Sequence, residues 1–193
     1  MPKQKITKQV VLQGAFSLIQ KEGIQKFNAR NLAKQINCSV QPLYSYFSNI
    51  ETLIYAVYDF STHYYNQYID NQINPTYLFQ SIGKGHINFA YEEGFLFQFL
   101  FLSPYLHAID FEDLCHKIER TDVTQNLRNT LHLNAIQAED LYMNMMLYTH
   151  GIACLIATKA ATIRYDEMSE RIDRAYFAFL QKIQEEKNAV THP

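Results

Sequence analysis

The stretch ARNLAKQINCSVQPLYSYF, residues 29–47, decides how this chain is read. Leu32 and Ile36 recur at helical spacing, and Ala33 is small where a second helix would cross closely. Asn37 stands where a tight turn needs a residue tolerant of left-handed backbone geometry. Leu43 and Tyr46 then return toward a core. The spacing is that of a helix-turn-helix. It predicts one short helix over 29–36 capped by Asn28, and another capped by Ser39 and running to Tyr46.

The neighbouring sequence continues in the same register. Thr7 to Glu22 carries apolar residues in two adjacent rows, Leu12, Phe16, Ile19 and Val11, Ala15, Leu18, and Gly23 follows as a helix stop. Ser48 and Glu51 form an S-x-x-E capping box for a helix with Leu53, Val57, Phe60 and Tyr64 on one stripe, expected to run to Asn71. Further helices are expected over 76–93, through the apolar run FLFQFLFL at 95–102, within 110–134, over 138–162 and over 166–187. No internal repeat and no strand of consequence is read. The expected architecture is all-α, with a helix-turn-helix domain over 1–48 and a larger helical domain over 49–193.

Composition agrees with that class. The chain has 193 residues, 48% hydrophobic, with only 6 Gly and 5 Pro, which argues against a disordered or linker-rich chain and disfavours a turn-rich β sandwich. Cys38, Cys115 and Cys154 form no C-x-x-C pair, so neither a disulfide framework nor a zinc finger is expected. No signal-peptide core is present, and a cytoplasmic setting is expected. The run at 95–102 is too short for a membrane span. Residues 141–158 lack Asp, Glu, Lys and Arg, but Asn144, Thr149 and His150 make a buried helix the better reading. No membrane contact is expected. The net charge of −2 hides a split. Residues 1–53 hold seven bases (Lys3, Lys5, Lys8, Lys21, Lys26, Arg30, Lys34) and two acids, a net +5, which leaves −7 for the rest. A basic head on an acidic body suits a polyanionic partner.

Residues 7–58 resemble the tetracycline-repressor (TetR) family of transcriptional regulators. The stretch Cys38 to Phe47, ending Leu43-Tyr44-Ser45-Tyr46-Phe47, is similar to the family's recognition helix and its L-Y-x-x-F ending. The remaining chain is similar to the family in plan, a larger helical domain whose last two helices are long. The resemblance implies a homodimer whose paired recognition helices enter successive major grooves of a pseudo-palindromic double-stranded DNA operator. It implies a ligand-responsive regulator, with repression the expected sign, and neither an enzyme nor a cofactor-bearing protein. Carried over by position, Asn28, Arg30, Ser39, Val40, Gln41, Pro42, Tyr44, Ser45, Tyr46 and Asn49 are the DNA-binding candidates, with Lys3 and Lys5 in the N-terminal arm.

Elementary chemistry supports these roles. Gln41 can read adenine and Arg30 guanine in a bidentate way, and Val40 and Pro42 can touch a thymine methyl. Tyr hydroxyls can bond phosphate without adding charge, although the helix-turn-helix spacing favours a core place for Tyr46. The chain departs from the family pattern at the start of the fourth helix, where Ser48, Asn49 and Ile50 replace the common Lys. No Lys or Arg occurs between Lys34 and Lys84. Fewer ionic contacts and a shallower salt dependence are therefore expected.

The family plan also implies an effector pocket for an apolar or aromatic small molecule. The lining candidates are Tyr91, Phe95, Phe99, Tyr105, Phe111, Tyr142, Met145, Met146, His150 and Cys154. Ile152, Leu155, Met168, Ile172, Ala175 and Phe179 are the candidates for a dimer face built from the last two helices. Three other readings stay open at this stage. The head could bind a protein partner instead of DNA. The Asp113-x-x-His116 pair with Glu112 and Glu119 could mark a helical metalloenzyme, although a di-iron bundle needs two such motifs and no metal site is expected. Cys38 could be a redox switch, but its apolar position favours a buried structural thiol.

Overall fold

The structure, a computed structural model, describes residues 6–110, 113, 114, 117 and 120–191. Among the described residues it contains α-helices and short 3-10 turns, and no strand. The α-helices are α1 (Lys8–Glu22), α2 (Ala29–Gln35), α3 (Gln41–Tyr46), α4 (Ile50–Gln72), α5 (Leu78–Glu92), α6 (Gly94–Phe101), α7 (Thr121–Leu131), α8 (Ala135–Ala157) and α9 (Tyr165–Thr191). The chain groups into two compact units. The first holds the chain up to Tyr68 together with Glu92–His107, and the second holds Ile69–Tyr91 with the chain from Ala108 onward. The sequence leads one to expect a division at 48/49, by role; this grouping follows packing and keeps residues 49–68 and 92–107 with the first 48. Most of α4 and all of α6 pack with the head.

In the first unit, Thr7 caps α1 by accepting the Val10 N–H, and Gly23 ends it at φ 81°. Val11, Ala15, Leu18 and Ile19 of α1 meet a core completed by Leu53 and Val57 of α4 and by Leu96, Phe97 and Phe99 of α6. The run at 95–102 is thus a core helix of the head unit. The Phe16 ring packs edge-on against Phe60 and Tyr64, each 5.1 Å away. Polar bonds tie the same helices. The Gln20 amide and the Tyr64 hydroxyl both donate to Glu93 Oε1, at 2.8 and 2.9 Å, and the Tyr68 hydroxyl donates to Glu92 Oε2 at 2.8 Å. Burial, reinforced by the Glu93 carboxylate, pushes the Tyr64 phenol up to about 12, so it remains a proton donor at neutral pH.

In the second unit, α8 runs beside α7 and α9. Its uncharged sequence follows from its position: Ala138, Leu141, Tyr142, Met145, Thr149, Ala153 and Ala157 are all buried. Asn134 and Gln137 form a reciprocal capping box, so α8 starts three residues earlier than its apolar pattern predicts. It ends at Ala157, before the expected 162, because Lys159 turns left-handed at φ 56°. The segment expected to be helical over 110–134 contains α7, closed by a left-handed His132. Arg120 bridges Asp70 and Asp122, at 3.0 and 2.9 Å.

Close approach of α1 to α2 sets the head's geometry. A Cβ built on Gly14 would lie 2.2 Å from Ile36 Cγ2 and 3.3 Å from Leu32 Cδ1. The Gln35 amide also donates to the Gly14 carbonyl at 3.1 Å. Gly14→Ala should therefore destabilise the protein. Overpacking costs about 1–3 kcal/mol, against up to ~1 kcal/mol gained in helix propensity. A lowered urea midpoint is expected, partly restored by adding Ile36→Ala; an unchanged midpoint would contradict the close packing.

Candidate nucleic-acid interface

The helix-turn-helix forms from the residues that predict it. Asn28 Oδ1 accepts the Asn31 N–H at 2.9 Å and caps α2. Leu32 and Ala33 are buried, and Asn37 takes the left-handed turn at φ 53°. The Cys38 N–H then bonds back to the Ala33 carbonyl at 2.9 Å, which closes the end of α2. Ser39 does not cap α3. That helix starts from Val40, already helical at φ −70°, without a side-chain cap, and Pro42 sits in the first turn, where no N–H is needed. Leu43 and Phe47 are buried, four residues apart.

Tyr46 corrects the core expectation. It is 41% exposed, and Phe47 takes the core place instead. Its hydroxyl donates to the Ile6 carbonyl at 2.9 Å, which ties the start of the described chain to the end of α3. Lys8 places its ammonium 5.4 Å from the centre of the Phe47 ring, so a cation stands beside α3. The L-x-x-x-F spacing from Leu43 to Phe47 was a readable signal for the buried aromatic. The cation–ring contact had no signal in the sequence.

The outward face of α3 and its flanks is polar and nearly uncharged. Ser39, Gln41, Tyr44, Ser45 and Tyr46 are exposed, with Tyr44 at 49%, while Val40 and Pro42 are half-buried. The Ser45 hydroxyl leans back onto the Gln41 carbonyl at 3.4 Å. Arg30 and Lys34 of α2 are exposed. Asn49, rather than Ser48, caps α4: its Oδ1 accepts the Thr52 N–H at 2.7 Å and the Thr52 hydroxyl at 2.8 Å. The Ser48 hydroxyl pairs instead with Thr52 Oγ1 at 2.9 Å. Glu51 puts a carboxylate in the first turn of α4, where a phosphate would otherwise be favoured. This face can donate hydrogen bonds to bases and phosphates but offers little ionic attraction. Lys3 and Lys5 lie outside the described residues.

Cys38 is half-buried, and burial raises its thiol pKa, the reverse of what a reactive thiolate needs. Its Sγ contacts the Ser39 carbonyl at 3.0 Å. Of the metalloenzyme candidates, Glu112, His116 and Glu119 lie outside the described residues. Among those described, no three metal-ligating side chains cluster. Among the described residues, no helix is long and apolar enough to cross a membrane.

The effector candidates divide between the two units. Phe95, Phe99 and Tyr105 belong to the head unit. Phe95 stands against Gly23, where an added Cβ would lie 3.0 Å from its ring. Phe99 is fully buried between Tyr58 and Tyr105, with ring centres 5.5 and 5.8 Å away. Tyr91, Tyr142, Met145, Met146, His150 and Cys154 belong to the second unit. Tyr142 and Met145 are core there, and the half-buried Cys154 has its thiol pKa raised by burial. Phe111 lies outside the described residues. That unit has a cavity of about 500 Å³ at α5, the end of α8 and the start of α9, and Tyr91 alone of the described candidates lines it. Of the dimer-face candidates, Met168 and Ile172 are buried within the chain, Ile152, Ala175 and Phe179 are half-buried, and Leu155 is 44% exposed. Leu147 and Phe177 are the other large apolar residues exposed on α8 and α9 beyond their first turns.

Two solved structures share this fold. One, from Vibrio parahaemolyticus and described as a transcriptional regulator of the TetR family, superposes with a TM-score of 0.62 at 16% identity, covering 89% of this chain and 97% of its own. The other, a TetR-family transcriptional regulator from Haemophilus influenzae, gives a TM-score of 0.60 at 15% identity, with 88% and 94% covered. No family model matches the sequence, and no curated protein does. The fold is therefore the all-α fold of these regulators, carried by nearly the whole chain.

His150 has a definite partner. Its Nδ1 lies 3.2 Å from Nε2 of His86, which is fully buried in α5. Burial, and then the His150 ring, hold His86 far below the ordinary histidine pKa; burial also lowers His150. The unfolded chain takes up these protons near pH ~6.5 while the folded pair resists. Stability is thus present above that pH and lost as the pH falls below it. The urea midpoint should drop between pH 7.5 and 5.5, with a slope of at most ~1.4 kcal/mol per pH unit for each proton. In His86→Gln that slope should shrink; an unchanged slope would remove the pair as its source.

Proposed function

We propose that this chain is a TetR-family transcriptional regulator that binds double-stranded DNA as a homodimer and responds to a small-molecule effector, with repression as its mode. The observation that carries the reading is the exposed polar face of α3. Leu43 and Phe47 hold the helix to the core while Gln41, Tyr44 and Ser45 face outward. Gln41 would read a base edge, and the Tyr44 and Tyr46 hydroxyls and the Asn49 amide would hold phosphates. Arg30, Lys34 and Lys8 would supply the ionic part. In this reading residues 1–48 bind DNA, residues 49–193 bind the effector and the second subunit, and the protein works in the cytoplasm. The exposed stripe Leu147, Gly151 and Leu155 on α8, with Phe177 on α9, supports a second copy as the partner of the last two helices. Within the chain, a Cβ added at Gly151 would meet nothing within 4 Å, which leaves room for a helix to approach. The fold shared with TetR-family regulators supports the same assignment.

Selection of bound sequences from random DNA, at low and near-physiological salt, tests this reading. A pseudo-palindrome enriched at both salts is expected. Its log–log salt slope should be no steeper than about −7, the value for roughly eight phosphates per dimer. No enrichment at either salt would assign the head to a protein partner.

A further inference from the structure

The cavity of about 500 Å³ in the second unit falls within the ~300–1,000 Å³ range of small-molecule sites. Its apolar wall is Ile87 of α5, Ile156 of α8, Ile163 of the following loop and the buried Met168 of α9. Asn88 brings a half-buried carboxamide, a donor and an acceptor together. Tyr91, 77% exposed, adds an aromatic face at the mouth. The charged members cancel. Arg164 grips Asp166 in a two-pronged pair, Nε to Oδ1 at 3.1 Å and a second nitrogen to Oδ2. Each charge has its counterion beside it, so the pair gives the cavity no net attraction for an anion or a cation.

We propose that this cavity is a binding site for an uncharged, largely apolar molecule with one hydrogen-bonding edge, held between the isoleucine wall and the Asn88 carboxamide. The site has a direct covalent link to the head. Tyr91 is the last residue of its unit in this stretch, and Glu92 and Glu93 come next. Those carboxylates accept the bonds from Tyr68, Tyr64 and Gln20 that tie α4 and α1. A molecule seated against Tyr91 therefore acts one peptide bond from the groups that hold the head helices. Its role as effector site rests on the regulator reading above. Its occupancy does not, and is tested without DNA.

The full chain is titrated with N-phenyl-1-naphthylamine, an uncharged aromatic amine whose fluorescence rises in apolar surroundings. Saturable binding at one site per chain is expected. Ile163→Trp, which fills the cavity from a loop, and Asn88→Asp, which adds an uncompensated carboxylate, should each weaken binding at least tenfold. Ile136→Ser, exposed in the first turn of α8 and far along that helix from Ile156, should leave it unchanged. Circular dichroism confirms folding, and if the Trp variant misfolds the Asp variant decides. The anionic 8-anilinonaphthalene-1-sulfonate should bind at least tenfold more weakly than the neutral amine. No binding of the amine, equal binding by both folded cavity variants, or tighter binding of the sulfonate would overturn the proposal.

Discussion

The close packing of α1 on α2 at Gly14 is the constraint on which the head depends. The absent side chain lets Leu32 and Ile36 reach the α1 backbone, and Gln35 bonds the Gly14 carbonyl there. With α2 fixed, the left-handed Asn37 sends the chain into α3 along a single path. Leu43 and Phe47 then sink into the core, and the intervening residues have no place but outside. The polar face of α3 is thus a consequence of packing on its opposite side. A helix as short as Gln41–Tyr46 has little stability of its own, so its orientation rests on those two anchors.

A second consequence concerns electrostatics. The exposed groups on and around α3 are hydroxyls and amides, and Glu51 stands in the first turn of α4. Among the described residues, Lys8, Arg30 and Lys34 are cations that α1 and α2 present. Attraction to a polyanion is therefore weaker than in a lysine-rich head, and under the proposed DNA-binding role hydrogen-bond geometry would contribute more of the discrimination. The core of the second unit is also polar at one point, where His86 and His150 face each other. Burial lowers the pKa of both rings, and the His150 ring lowers that of His86 further, so acid is expected to act against this part of the core.

Much of the fold was legible because it depends on local rules. The Asn28 cap, the Asn37 turn, the Gly23 stop and the order of helices all follow from backbone preferences of single residues. Helix ends were less legible where caps compete. Ser48 and Asn49 are both good caps, and only the folded geometry selects Asn49. Spacing alone places Tyr46 in the core, yet a tyrosine at a core-like spacing can swing outward when Phe47 follows it and a backbone carbonyl, here that of Ile6, accepts its hydroxyl. The aromatic run of α6 looked like ligand lining, yet Phe99 serves the head's own core. Periodicity marks a buried face but cannot say which neighbour buries it. The Asn88 cavity was not visible at all, since its lining comes from segments far apart in sequence.

The central claim is that α3 reads base edges from a scaffold set by its buried side. The sequence preference of Gln41→Ala, compared with that of the parent chain in parallel selections, tests it most directly. Relaxed preference at one symmetric pair of positions, with the rest of the site intact, is the predicted result. That corresponds to about 1–3 kcal/mol of discrimination lost at that base pair. An identical preference in both proteins, or a uniform loss across the whole site, would contradict direct reading by α3.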